Sequence, residues 1–262
     1  MTVVDDVRAQ VDDLEQKLRE FFAAAEETLA AAASAPVPVG GPVLLSPELM
    51  DAVRDGLRRV RAEMQSVLDR FGQFLDQPGD PERLRQAAAG WSVVADALSD
   101  AGGKLGLDQM RTNIEWEGGG AEAYKAMVPR QGEQLSTMTA QSQALSTSLH
   151  GLADQIESFW LALGAAAALM VIAVVTAIVG AATVVGIPAA CGAILVAVGG
   201  AATLILTAVQ QMNTLTDRIA TEQRAMGQAL RDIGTAWPMP NAAAMADASV
   251  TDGDAAEWRP NR

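Results

Sequence analysis

Histidine and cysteine, which can act as a base, a nucleophile or a metal ligand, each occur once in the chain, as His150 and Cys191. No cluster of His, Cys and carboxylate residues with the spacing of metal ligands can be built around His150. Ser-His-Asp catalysis would have to recruit the same histidine without a nucleophile-elbow motif. Cys191 lies in the most apolar stretch, without a nearby base or positive charge to activate its thiol. We therefore expect His150 to be an exposed side chain and Cys191 a small buried hydrophobe.

Paired carboxylates and a glycine run are the other groups that could do chemistry. The pairs Asp5-Asp6, Asp12-Asp13 and Glu26-Glu27 are adjacent in sequence and fall on the polar faces of predicted helices. General acid catalysis would need them in a cleft that separates their pKa values. Gly118-Gly119-Gly120 has no strand before it and no Gly-Lys-Ser/Thr after it, so it is not a phosphate loop. The sequence predicts a protein that is not an enzyme, with no catalytic residue, metal site, cofactor or small-molecule substrate.

Composition and charge limit the classes of partner that the protein can bind. The formal net charge is −13, which disfavours nucleic acid and also binding to anionic lipid by charge alone. Half of the residues are hydrophobic while aromatics are only 4%, so any membrane contact must come from burial of apolar aliphatic side chains. Residues 1–6 lack a basic segment followed by a short apolar one, so no cleavable signal peptide is expected.

Amphipathic helices are predicted on both sides of the centre of the chain. The first two have apolar residues at alternating spacings of three and four, which is a heptad seam, and they should pair antiparallel along these seams. A segment rich in Pro and Gly, residues 34–46, separates them, and Ser46, Pro47 and Glu48 suit the start of the second helix. The seam residues expected to pair helices include Val11, Leu14, Leu18 and Val60. Two more amphipathic helices follow, the first with Ala88, Trp91 and Ala95 in one stripe.

No charged residue occurs between Ser158 and Thr216. This stretch contains two apolar runs, residues 159–183 and 188–209, which are separated at Gly186-Ile187-Pro188. A bilayer core of about 30 Å needs roughly 20 helical residues, and each run has that length. Both runs are rich in Gly and Ala, which allows close helix packing in lipid. The residues predicted to contact lipid are Leu169, Val171, Ile172, Ile194, Leu195, Leu204 and Ile205.

Trp116-Glu117-Gly118 lies between the third and fourth predicted amphipathic helices. This arrangement resembles the WXG-type (Trp-X-Gly) family of type VII (ESX) secretion system substrates. The resemblance covers about residues 78–160. It implies that the motif forms the turn of a helical hairpin, with Trp116 and Gly118 as its turn residues. Sequence before it, Pro78-Gly79-Asp80-Pro81 and Ala89-Gly90-Trp91, is similar to actinobacterial members.

The sequence departs from that family at the export signal, which often has Tyr followed by Asp or Glu four residues later. Here an aromatic, Tyr124, does follow the motif, but Val128 stands where the acidic residue would be. Either a partner supplies the export signal or the protein is not secreted.

The predicted fold is all-α: an elongated antiparallel bundle of helical hairpins with a two-helix hydrophobic, transmembrane-like hairpin and a disordered C-terminal tail. The predicted divisions are an N-terminal helical hairpin (1–76), a WXG-like hairpin (77–158), the membrane hairpin (159–209), a C-terminal helix (210–236) and the tail (237–262).

The function that these features predict is a type VII secretion-associated protein that pairs helices and inserts its hairpin into a membrane. Its expected partners are a lipid bilayer and a helical protein or a second copy. The hairpin could be a permanent anchor, a concealed element that inserts after release, as in pore-forming toxins, or a core hairpin wrapped by the other helices. In the last case the protein would be a soluble structural or chaperone-like bundle.

Overall fold

A computed structural model describes residues 3–34, 46–106, 116–117, 119–233 and 259–260. The prediction of an all-α fold is confirmed, and one pair of two-residue strands accompanies the helices. In β1 and β2, which are antiparallel, Trp116 lies opposite Pro260. The elements in chain order are α1 Val3–Ser34, α2 Pro47–Leu75, α3 Pro81–Lys104, β1 Trp116–Glu117, α4 Gly119–Gly180, α5 Gly186–Ile233 and β2 Arg259–Pro260.

Helices α1 and α2 bury the seams that their heptad spacing predicts. The buried residues of the two helices are Val7, Val11, Leu14, Leu18, Phe21 and Ala25, then Val53, Val60, Met64, Val67 and Phe71. A groove between them is lined at one end by Leu18 and Leu68 and at the other by Leu29 and Leu57, so the helices run antiparallel. At the start of α2, Ser46 Oγ accepts a hydrogen bond from the Leu49 amide at 3.2 Å, and Pro47 occupies the first turn.

Helices α4 and α5 are longer than the sequence pattern predicted. Helix α4 continues without interruption through residue 158, and α5 continues through residue 210, where separate elements were expected. The prediction of helix ends there was wrong because it followed the change in hydropathy, and neither position has a Gly or Pro to stop a helix. The change in hydropathy instead marks the point at which a continuous helix enters different surroundings.

A short turn, residues 181–185, joins α4 to α5. The two helix ends approach so closely that a Cβ on Gly186 would collide with the carbonyl oxygen of Gly180. Only glycine fits at this position without moving the backbone. The apolar runs therefore form a tight helical hairpin, with the turn slightly earlier than the Gly-Ile-Pro segment suggested.

The chain forms two compact units. The first is Met1–Asp80 with Asp154–Thr214, and the second is Pro81–Ala153 with Leu215–Arg262. The ranges 1–76 and 159–209, predicted as separate divisions, thus belong to one unit because their apolar surfaces share one core. Of the predicted tail, 237–262, all but β2 lies outside the described residues, as does most of the segment 34–46.

In the second unit, α3 and the first part of α4 run antiparallel. Ser92 and Ser146 are hydrogen-bonded through their hydroxyls at 2.9 Å, and Gly102 lies beside Leu135. The buried residues of α3 are Ala88 and Ala95, so the two helices approach along small side chains. Trp91 is 41% exposed, and its expected place in the packed stripe was wrong because a side chain of that size does not fit so close a contact.

Candidate membrane-inserting hairpin

The hairpin of the first unit has one buried side, which we call the inner face. Its buried residues recur every three or four positions along both arms, 159–180 and 186–209, as expected for one side of a helix. Many are alanines, which leave little space between packed helices. The inner face includes Leu163, Ala166, Ala167, Met170, Val174 and Ala177 on α4, and Ile187, Cys191, Ile194, Val198, Ala201 and Ile205 on α5.

The opposite side of the hairpin, the outer face, is apolar and exposed. Ile172, Val179 and Val196 are 65%, 77% and 78% exposed. Monomeric soluble proteins rarely expose apolar patches larger than a few hundred Å². The large side chains of the outer face are Leu161, Leu169, Ile172, Val175, Val179, Val185, Val196, Leu204 and Leu206.

Helices α1 and α2, which together we call the cover, bury the inner face. Their seams and the inner face form a single apolar cluster. Val7 lies beside Gly164 near the base of the hairpin, and Thr28 lies beside Ala181 at its tip, so α1 runs parallel to the first arm over its length. On the other arm, Gly56 of α2 lies against Cys191, where an added Cβ would be 3.4 Å from the cysteine Sγ.

Hydrogen bonds from a side chain to the backbone join the hairpin to the rest of its unit at its tip and at its base. At the tip, Thr28 Oγ1 donates to the carbonyl oxygen of Ala181 at 2.8 Å. At the base, the indole Nε1 of the buried Trp160 donates to the carbonyl oxygen of Pro78, also at 2.8 Å. Pro78 precedes Gly79, whose φ of 70° favours glycine, and this loop packs against Ile156.

Within the described residues, a buried polar atom between the cover and the hairpin has no hydrogen-bond partner. The side-chain oxygen Oε1 of Gln10 is buried with no hydrogen-bond partner in the described part of the chain. It lies next to Gly164, where an added Cβ would be 3.6 Å away. An unsatisfied buried acceptor costs about 1–3 kcal/mol, so this contact weakens the attachment of the cover.

The water-facing side of the cover is charged. Lys17 Nζ lies 2.8 Å from Glu20 Oε2, and this hydrogen bond raises the pKa of Lys17 and lowers that of Glu20. Arg61 spans the two helices, with Nη2 3.7 Å from Glu26 Oε1 and its guanidinium 4.6 Å from the centre of the Phe22 ring. Such exposed ion pairs contribute little to the stability of the folded protein, but their charges keep this side of the cover in water.

By length and composition, α4 and α5 are each able to cross a membrane. Their most apolar 18-residue windows have mean hydropathies of 2.6 and 2.2, and only 33% and 39% of these windows are buried in the protein. A core helix of a soluble protein would be buried on most of its surface. These two helices, in a helical bundle, therefore point weakly to association with a membrane.

The structure places the residues predicted to contact lipid in three groups. Those on the outer face are Leu169, Ile172 and Leu204. Those that are half-buried and pack against the core are Val171 and Leu195. Those buried on the inner face are Ile194 and Ile205. The sequence could not separate them because nearly every position of the two arms is apolar or small, which leaves no periodic pattern.

The residues predicted to pair helices, Val11, Leu14, Leu18 and Val60, are all buried in the shared core. Sequence reasoning missed Gln10, Thr28, Gly56 and Trp160. For Gln10, the sequence offered one indication, namely that it is a polar residue next to an apolar seam. The other three act through contacts with segments far away in sequence, which no local pattern reveals.

The remaining predicted residues show no catalytic arrangement in the described part of the chain. His150 is exposed, and Cys191 is buried with a free thiol. No group of three His, Cys, Asp or Glu residues that could hold a metal ion occurs within the described ranges. Trp116 lies in β1, and Gly118 lies outside the described residues. Comparison with family descriptions, curated proteins and solved structures found no match to this chain.

Proposed function

We propose that this chain acts at a membrane, where its apolar hairpin inserts as an anchor or as a pore-forming element, and that it is not an enzyme. The observation that supports this proposal is the outer face, a wide exposed apolar surface on a hairpin within a stretch, 158–216, without a charged residue. Moving a large aliphatic side chain out of water contributes about 1.5–3 kcal/mol. Ile172, Val179 and Val196 alone would supply several kcal/mol on entering lipid.

Helix pairing is the second part of the proposal, in which the protein is a WXG-like component or substrate of a type VII secretion system. What supports this part is that α3 and the first part of α4 run antiparallel, with Trp116 between them in the sequence. Exposed apolar side chains on α3, Trp91, Val93 and Val94, offer a surface for a helical partner or a second copy. Export, with the partner supplying the missing signal, belongs to the same proposal.

The complete burial of the inner face favours a second candidate. In it the protein is a soluble structural or chaperone-like bundle, the hairpin is a permanent core, and the outer face is covered by another protein. This candidate predicts a stable, monodisperse protein that does not bind lipid vesicles. The two candidates therefore differ in one measurable property, the partitioning of the purified chain onto vesicles.

Flotation with phosphatidylcholine vesicles tests the proposal. The wild-type chain should float, whereas the double variant Ile172→Asp with Val196→Asp should stay at the bottom of the gradient. An acidic side chain at the centre of a lipid-exposed helix costs about 2.5–3.5 kcal/mol on the insertion scale, so the floating fraction should fall by more than about tenfold. Both positions are exposed, so the fold should survive, which circular dichroism can verify.

A matched control adds the same two charges elsewhere. Ser136→Asp with Gln143→Asp places them at exposed positions of α4 outside the hairpin, and this variant should float like wild type. If the wild-type protein stays lipid-free and monodisperse, or if the Ile172/Val196 variant floats equally well, membrane insertion is excluded and the soluble bundle is supported.

A further inference from the structure

We infer that the cover is a releasable inhibitor of the hairpin: the arms cross a bilayer only after α1 and α2 have left the inner face. This inference rests on the proposed function and adds the conformational step that controls it. The described structure is then the closed state of the first unit, and crossing requires an open state.

The geometry makes crossing and the closed state mutually exclusive. Helix α1 runs beside the first arm from Gly164 to Ala181, and α2 contacts the second arm at Cys191. A hairpin that crossed with the cover attached would carry into the hydrocarbon the charged side chains of both helices, among them Asp12, Glu20 and Arg58, which are exposed in the closed state. Ionised side chains facing lipid are costly and rare in membrane interiors. The cover must therefore stay in water while the arms enter.

The outer face gives the closed state a way to approach lipid. In the first unit the apolar outer face and the charged side of the cover lie on opposite sides of the shared core. The closed unit can therefore lie on a bilayer with the outer face in the interface and the charges in water, as amphipathic helices do. Binding and crossing become two separate steps, and only the second requires release of the cover.

The contacts between cover and hairpin suit release. Apolar side chains supply most of the attachment, and lipid can replace that kind of contact. The buried Gln10 oxygen has no partner in the described structure and would gain water on opening. The alanine-rich inner face, once uncovered, is also suited to close packing against another helix within lipid.

A disulfide between α2 and the hairpin tests the inference, and the native Cys191 provides half of it. A Cβ at position 56 would lie 3.4 Å from the Cβ of Cys191, close to the separation found in disulfides. The full-length variant Gly56→Cys, once oxidised, holds the cover closed, and dithiothreitol releases it. The measurement is flotation with phosphatidylcholine vesicles before and after an alkaline carbonate wash, which removes peripheral but not membrane-spanning protein.

The oxidised variant should float before the wash and be removed by it, whereas the reduced form should resist the wash like wild type. The resistant fraction should differ at least about tenfold between the two forms. Gly56→Cys with Cys191→Ala, which cannot form the bridge, should resist the wash with or without reductant. A second lock, Val7→Cys with Gly164→Cys and Cys191→Ala, holds α1 instead and should behave like the first.

The outcomes separate the inference from the proposed function. If the oxidised and reduced forms resist the wash equally, the releasable cover is wrong while membrane insertion stands. If wild type never floats, both fail. If neither cysteine pair can be oxidised in the folded protein, the closed arrangement itself is contradicted, and the inference fails with it.

Discussion

Thr28 and the carbonyl oxygen of Ala181 are joined by a hydrogen bond of 2.8 Å that ties α1 to the tip of the hairpin. Ala181 is the first residue after α4, where the last carbonyl groups of a helix lack partners within the helix. A threonine distant in sequence thus satisfies one of them. The contact therefore holds α1 at the end of the hairpin that is farthest from its base.

The first prediction concerns this contact. Thr28→Val keeps the shape of the side chain but removes the hydroxyl, so the partly buried Ala181 carbonyl loses its partner at a cost of about 1 kcal/mol. Hydrogen exchange of amides at the turn, 181–186, should accelerate several-fold when followed by mass spectrometry. Thr137→Val is the matched control, because the Thr137 hydroxyl bonds only to a carbonyl of its own helix, that of Glu133. Equal exchange at the turn in both variants would contradict the prediction.

Trp160 provides the second prediction, at the base of the hairpin. Trp160→Phe removes the indole donor and leaves the Pro78 carbonyl without this bond, at a cost of about 1–3 kcal/mol that includes the lost volume. Hydrogen exchange should accelerate around residues 156–163 and in the loop at 76–80. The control Trp91→Phe changes an exposed indole in the other unit and should leave these amides unchanged.

The first unit shows which structural information was present in the sequence. The seam from Val7 to Ala25 and the start of α2 at Ser46 were predictable because heptad spacing and capping are local properties of a helix. The apolar runs were equally visible. Their division into inner and outer faces was not, because only the position of the cover distinguishes Ile194, which is buried, from Val196, which is exposed.

Ser46 leads to the third prediction, which concerns pH. Two hydrogen bonds lower the pKa of Glu48. The larger effect comes from the backbone amide of Glu48 itself, and the smaller one from the Ser46 hydroxyl. A carboxyl group whose pKa is lower in the folded than in the unfolded protein stabilises the folded state at pH values above its unfolded pKa. This stabilisation is lost as the pH falls through the folded pKa. Ser46→Ala should raise the Glu48 pKa towards its usual value, and carbon-detected NMR titration of the carboxylate measures this. An unchanged Glu48 pKa would exclude the hydroxyl as a cause.

The same substitution should also destabilise α2 by about 1 kcal/mol, because the Leu49 amide loses its capping acceptor. Exchange of the amides in the first turn of α2 is the corresponding readout. Ser34→Ala is a suitable control, since the Ser34 hydroxyl donates to the carbonyl oxygens of Ala30 and Ala31 at the end of its own helix. This variant should leave both the α2 amides and the Glu48 carboxyl unchanged.

Gln10 yields the last prediction, and it connects stability with release of the cover. Gln10→Met keeps the length of the side chain and removes the unsatisfied oxygen, so the closed state should become more stable by about 1 kcal/mol. If the cover must leave before the hairpin crosses, the variant should also acquire carbonate resistance on phosphatidylcholine vesicles more slowly than wild type. Gln16→Met on the same helix is the control, because Gln16 is exposed and donates to Glu20 at 3.1 Å. A variant at position 10 that is more stable yet crosses at the wild-type rate would show that opening does not limit insertion.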